Sequence, residues 1–146
     1  MSFAQDYPVL RAILIVPIFD TNPTDKPDPW GENAGTPGLT ADRLLGGLEP
    51  TFREVSRDDW YYNPSKMPDH VVQELPPMAV ALARFDILYK QGKKFCEDRL
   101  QRRHDMTWET FDGIHQVKDM DQVTAEGRLL REYIVDWCRR TYDVLY

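Results

Sequence analysis

Two runs of apolar residues stand out from an otherwise polar chain: Leu10 to Phe19, interrupted by Arg11 and Pro17, and Met78-Ala79-Val80-Ala81-Leu82-Ala83. Their apolar positions are continuous rather than alternating, which predicts strands buried on both faces in a parallel sheet. Pro17 has no N–H for a ladder, so regular pairing ends before it and Pro17 to Asp20 form the exit from the sheet. A third strand is expected over Asp105 to Phe111, with Met106, Trp108 and Thr110 on one face. Elsewhere the period lengthens to that of a helix. Ile87 to Arg102 turns Leu88, Phe95 and Leu100 inward, and Asp121 to Asp143 places Leu130, Ile134, Trp137 and Cys138 on one stripe. Thr40 is a natural N-cap for a short helix that buries Ala41, Leu44 and Leu45, with Gly46-Gly47 expected to end it.

Between the first strand and the second the pattern dissolves. Thr21 to Gly38 is rich in Pro, Asn, Asp, Gly and Thr, with Trp30 as its one large apolar residue, and loops of this length in globular domains are usually functional excursions. A second irregular stretch holds Phe52, Trp60, Tyr61 and Tyr62, aromatic residues that either anchor the loop to the core or line a pocket. The chain therefore divides into a core strand (1–20), a cap-like excursion (21–74) and a strand-bearing remainder (75–146). Strand, excursion, strand, helix, strand, helix is an α/β order, with a parallel sheet and right-handed crossovers expected. The sequence contains no internal repeat.

Composition narrows the functional classes. A net charge of −6 leaves no basic surface for nucleic acid. The local basic runs, Lys90 with Lys93 and Lys94, and Arg99 with Arg102 and Arg103, lie at helical spacing beside Glu97 and Asp98 and read as a solvated helix face. The two cysteines, Cys96 and Cys138, form no CxxC pair and have no histidine cluster beside them, so neither a disulfide framework nor a structural metal site is expected, and a reducing, cytoplasmic setting is the default. The longest apolar run is far too short to span a bilayer.

Reactive groups in open parallel sheets sit beyond the carboxyl ends of strands. Asp86 follows the second strand and His115 follows the third. From neighbouring strands, a carboxylate can accept the imidazole Nδ1–H, fixing the tautomer and aiming the other ring nitrogen at a nucleophile. By position alone the commoner readings, a turn-capping aspartate and a structural histidine, remain open.

Leu75-Pro76-Pro77 before an apolar strand, then Phe85-Asp86-Ile87-Leu88 and a helix containing Gly92, resembles the acid-bearing segment of α/β-hydrolases of the hormone-sensitive-lipase group, which includes arylacetamide-deacetylase-like and many fungal esterases. Asp112-Gly113-Ile114-His115-Gln116 is similar to that group's Asp-Gly-x-His-Gly element, with Gln116 in place of the final glycine. Leu10 to Asp20 resembles the sixth strand, retaining Pro17 and Asp20. Leu39-Thr40-Ala41-Asp42, Asp59-Trp60 and Asn63-Pro64 resemble the cap insertion. The likeness runs from about residue 3 to the C-terminus. It implies a C-terminal portion of the fold, with Asp86 as triad acid and His115 as triad base, a small hydrophobic ester or aryl amide as substrate, and no cofactor or metal.

The same group needs a serine in a Gly-x-Ser-x-Gly elbow and an oxyanion loop. Ser2, Ser56 and Ser65 have no glycine neighbours, and Cys96 and Cys138 fall within predicted helices. The expectation is thus an incomplete hydrolase, a truncated product or one half of a pair, inactive by itself. Ala12 to Val16 would then present an unpaired apolar edge open to self-association or to a partner chain.

Overall fold

All three expected strands form one parallel sheet, β1 (Ala12–Ile15), β2 (Met78–Ala83) and β3 (Met106–Phe111), in the order β1-β2-β3. The computed structural model describes residues 9–21, 30–51, 56, 58–100, 103–114 and 125–145. Ala12 to Ile15 face Met78 to Ala81, and Met78 to Ala83 face Met106 to Phe111, so the strands start level.

The central strand is β2, and all six of its residues are buried. The first strand, expected to be buried on both faces, is half-buried throughout, because among the described residues it pairs on one side alone. Pairing stops after Val16, whose N–H donates to the Ala81 carbonyl at 2.9 Å, as Pro17 requires.

Alternation sorts the two faces of β2. Met78, Val80 and Leu82 join Phe19, Val72, Phe95, Cys96, Leu100 and Met106 in the main core. Helices α2 (Asp69–Glu74) and α3 (Tyr89–Phe95) cover this side. Ala79, Ala81 and Ala83 make the opposite face shallow, so the long helix α4 (Ala125–Leu145) can lie close to the strands. There Tyr133 shares a hydrogen bond of 3.0 Å with Thr107 and packs its ring against Phe111, while Trp137 is buried beneath the Arg11 guanidinium.

Four expectations need correction. Helix α1 (Ala41–Thr51) runs through Gly46-Gly47 instead of ending there; its apolar side, with Leu44 and Leu48 against Ile87 and Leu88, outweighs the glycine penalty. Helix α2 occupies a stretch read as irregular. The helix after Asp86 is α-helical to Phe95 and then widens into a π turn over Cys96–Leu100, which brings Leu100 round to the buried side of Phe95. Cys138 is exposed, and Trp137 beside it is the buried residue. No helix among the described residues is long and apolar enough to cross a membrane.

Candidate active site

The exits of β2 and β3 are tied into one ledge. Beyond the ladder, the Arg84 N–H donates to the Phe111 carbonyl at 2.8 Å and the Phe85 N–H to the Gly113 carbonyl at 2.9 Å. Arg84 Nε reaches across to Asp112 Oδ1 at 2.5 Å. These bonds hold the Asp112-Gly113 turn against the turn that carries Asp86. His115 lies outside the described residues, but the chain leading to it, through Gly113 and Ile114, is delivered to this ledge.

Asp86 is 1% exposed, at the turn from β2 into α3. Its N–H donates to the Ala83 carbonyl at 3.1 Å, its Oδ1 accepts the Leu88 N–H at 2.8 Å, and its carbonyl accepts the Tyr89 N–H at 3.0 Å. The carboxylate is therefore oriented by the start of the helix that follows it. A carboxylate with about four acceptor sites accommodates a capping bond and an imidazole N–H together. Ile87 and Leu88 anchor the turn by entering a second apolar cluster with Leu44, against which Trp30, Leu39 and Val16 pack.

Val16, directly before Pro17, has a φ of 49°, a left-handed conformation that costs a β-branched residue energy. It sits beside Ala83, Gly113 and Ile114 around an apolar cavity of about 30 Å³, room for a single water and too small for a substrate.

Asp20 and Asn63, both singled out in the sequence, meet. Asn63 Nδ2 donates to Asp20 Oδ1 at 3.3 Å, Ser65 Oγ donates to Asn63 Oδ1 at 2.7 Å, and the Phe19 and Asp20 N–H groups share Gln91 Oε1. This buried cluster fastens the β1 exit to α3 and to the excursion. Tyr62 is buried and its carbonyl accepts from Thr21, so it acts as an anchor, whereas Tyr61 is exposed and stacks on Trp60. Ser2, Phe52, Arg102 and Gln116 lie outside the described residues.

The basic runs divide. Lys93 and Lys94 pair with Glu97 and Asp98 on the solvated face, as expected. Arg103 does not: its side chain is 8% exposed and donates to the Val72 and Leu75 carbonyls and to both oxygens of Asp105. Burial, with a smaller contribution from Glu97, pushes the Cys96 thiol up to about 12, so it has no thiolate character at neutral pH.

Sequence reasoning missed Asn33. It stands in the short 3₁₀ turn Gly31–Asn33 of the excursion, is buried, and donates from Nδ2 to the carbonyls of Arg84 and Asp86 at 2.8 and 2.9 Å. The run of turn-forming residues around it signalled a loop and gave no sign of partners fifty residues away.

The sequence profile of the alpha/beta hydrolase fold family matches residues 2–117. Among curated proteins none matches. Among solved structures the chain is similar to carboxyl esterase 2 of the mycorrhizal fungus Tuber melanosporum, at 22% identity and a TM-score of 0.74 over 89% of this chain and 43% of that one. It is also similar to a bacterial heroin esterase (20%, TM-score 0.73, 94% of this chain and 45% of that one) and to the esterase EstE5 (19%, TM-score 0.77, 96% and 47%). The chain spans less than half the length of each of these proteins.

Proposed function

The chain belongs to the alpha/beta hydrolase fold family, and from that premise we propose that it is the acid- and base-bearing portion of a serine-type carboxylic ester hydrolase. Asp86 accepts the Nδ1–H of His115. His115 in turn takes the proton of a serine supplied from outside these 146 residues and later returns it to the leaving group. The substrate is a small hydrophobic acyl ester or aryl amide, covered by the cap-like excursion at 21–74. Within the family we place it with the hormone-sensitive-lipase and arylacetamide-deacetylase-like esterases, fungal members included, on the resemblance of its Asp86 and Asp112-Gly113-Ile114-His115 segments. Two free thiols, Cys96 and Cys138, suit a reducing cytoplasm.

The observation that supports this reading is the ledge: a buried aspartate at the carboxyl end of β2, hydrogen-bonded through its neighbours to the turn that leads to a histidine after β3. A fluorophosphonate probe tests the missing nucleophile. The chain by itself is expected to take no label, because acid and base without an activated serine and oxyanion donors lack the main elements of acyl transfer. A serine adduct on this chain would overturn the proposal.

Among the described residues β1 pairs on one side alone, and that edge favours a second reading, a non-catalytic or incomplete chain that pairs with a complementary strand. Light scattering on the purified chain addresses self-pairing: a concentration-dependent dimer supports it, and a monomer throughout contradicts it.

A further inference from the structure

The geometry points to Asn33 as the positioning residue for the acid of this site, a step that rests on reading Asp86 as the partner of His115. Asn33 is 5% exposed, and its Nδ2 donates both hydrogens, one to the Arg84 carbonyl and one to the Asp86 carbonyl. Those carbonyls belong to the Arg84-Phe85 and Asp86-Ile87 peptide units, so one side-chain amide fixes the two backbone planes that flank the Phe85-Asp86 peptide. Asp86 is itself bound to the start of α3 through Oδ1 and its carbonyl. Its carboxylate direction therefore follows from the planes that Asn33 holds.

The excursion reaches this point by two devices. Trp30 packs against Ile87 and Leu88, and Gly31 adopts a φ of 60°, a left-handed conformation that suits glycine and turns the chain so that Asn33 points at the ledge. An apolar side chain at position 33 would leave the Arg84 carbonyl without this donor in a part-buried setting, where a lost partner costs more than a hydrogen bond in water. The excursion thus does more than cover a pocket. It sets the acid, so that a cap displaced from the ledge would also disorder the acid–base pair.

The test is the ¹⁵N spectrum of the neutral imidazoles of the full chain, with His115 assigned by His115→Gln. A paired His115 holds its proton on Nδ1, whereas a free neutral imidazole favours Nε2. Asp86→Asn should abolish the Nδ1–H preference. Asn33→Ala should lower the ratio of Nδ1–H to Nε2–H by about fivefold, the weight of one neutral hydrogen bond. Asn33→Ser, which keeps a donor at the same backbone position, should fall between the parent and Asn33→Ala and serves if Asn33→Ala does not fold. If Asp86→Asn removes the preference while Asn33→Ala and Asn33→Ser leave it intact, the positioning role is wrong and the acid–base pair stands. If Asp86→Asn changes nothing, the pair itself is wrong and the role of Asn33 falls with it.

Discussion

Arg103 ties the end of α2, through the Val72 and Leu75 carbonyls some thirty residues away, to the start of β3, where it holds Asp105. Its planar fork is what allows four acceptors to be served at once, and a lysine has no such geometry. Arg103→Lys should lower stability by about 1–3 kcal/mol in denaturant unfolding, and an unchanged midpoint would refute the role. The guanidinium bond to Asp105 also holds that carboxyl below its usual range. The pair's contribution is therefore present at neutral pH and is lost as acid protonates Asp105, so parent and Asp105→Asn should converge in stability below the ordinary carboxylate range. The cysteines give a simpler check. At mildly alkaline pH a thiol reagent should modify exposed Cys138 quickly, while buried Cys96, pushed up to about 12, should react only when the chain unfolds. Two thiols reacting at one rate in the folded chain would contradict that burial. Arg103 and Asn33 share the reason they were not legible in the sequence: both act on distant backbone carbonyls, which carry no side-chain signature.

At the scale of elements, continuity and periodicity were reliable where a tertiary partner agreed with them. The bounds of β2 and the turn at Asp112-Gly113 could be read directly, because a run buried on both faces and a turn dipeptide are local signals. The helices were harder. Gly46-Gly47 looked like a terminus, yet α1 passes through them because its Leu44 and Leu48 side is held by the turn after Asp86. A methyl group added at Gly46 meets nothing within 4 Å. Gly46→Ala should accordingly stabilise the chain by about 0.5–1 kcal/mol, measurable as a raised Tm; a lower Tm would argue against a helix at that position. Gly92 answers in the opposite direction. A Cβ there would sit 2.8 Å from Leu82 Cδ2, where α3 lies closest to β2. Leu82 is itself buried and has little room to turn. Gly92→Val should cost about 1–3 kcal/mol by overpacking, and a neutral result would show that the helix can move off the sheet.

At the scale of the whole molecule, the described residues form a three-stranded parallel sheet with helices on both faces, and the chain spans less than half the length of the esterases it resembles in fold. The candidate site lies at one end, where the exits of β2 and β3 are bonded together and Asn33 of the excursion is fastened to them. The place of Asp86 at the exit of β2 was legible because the continuous apolar run marks where that strand ends. The ledge that supports it was not, since it is made of backbone bonds between segments far apart in sequence. The most direct test of the acid–base reading is the titration of His115 followed by NMR in the parent chain and in Asp86→Asn. A buried carboxylate accepting from the ring favours the imidazolium, so its removal should lower the His115 midpoint by about one pH unit or more. Identical midpoints in the two proteins would contradict the pairing on which the proposed function depends.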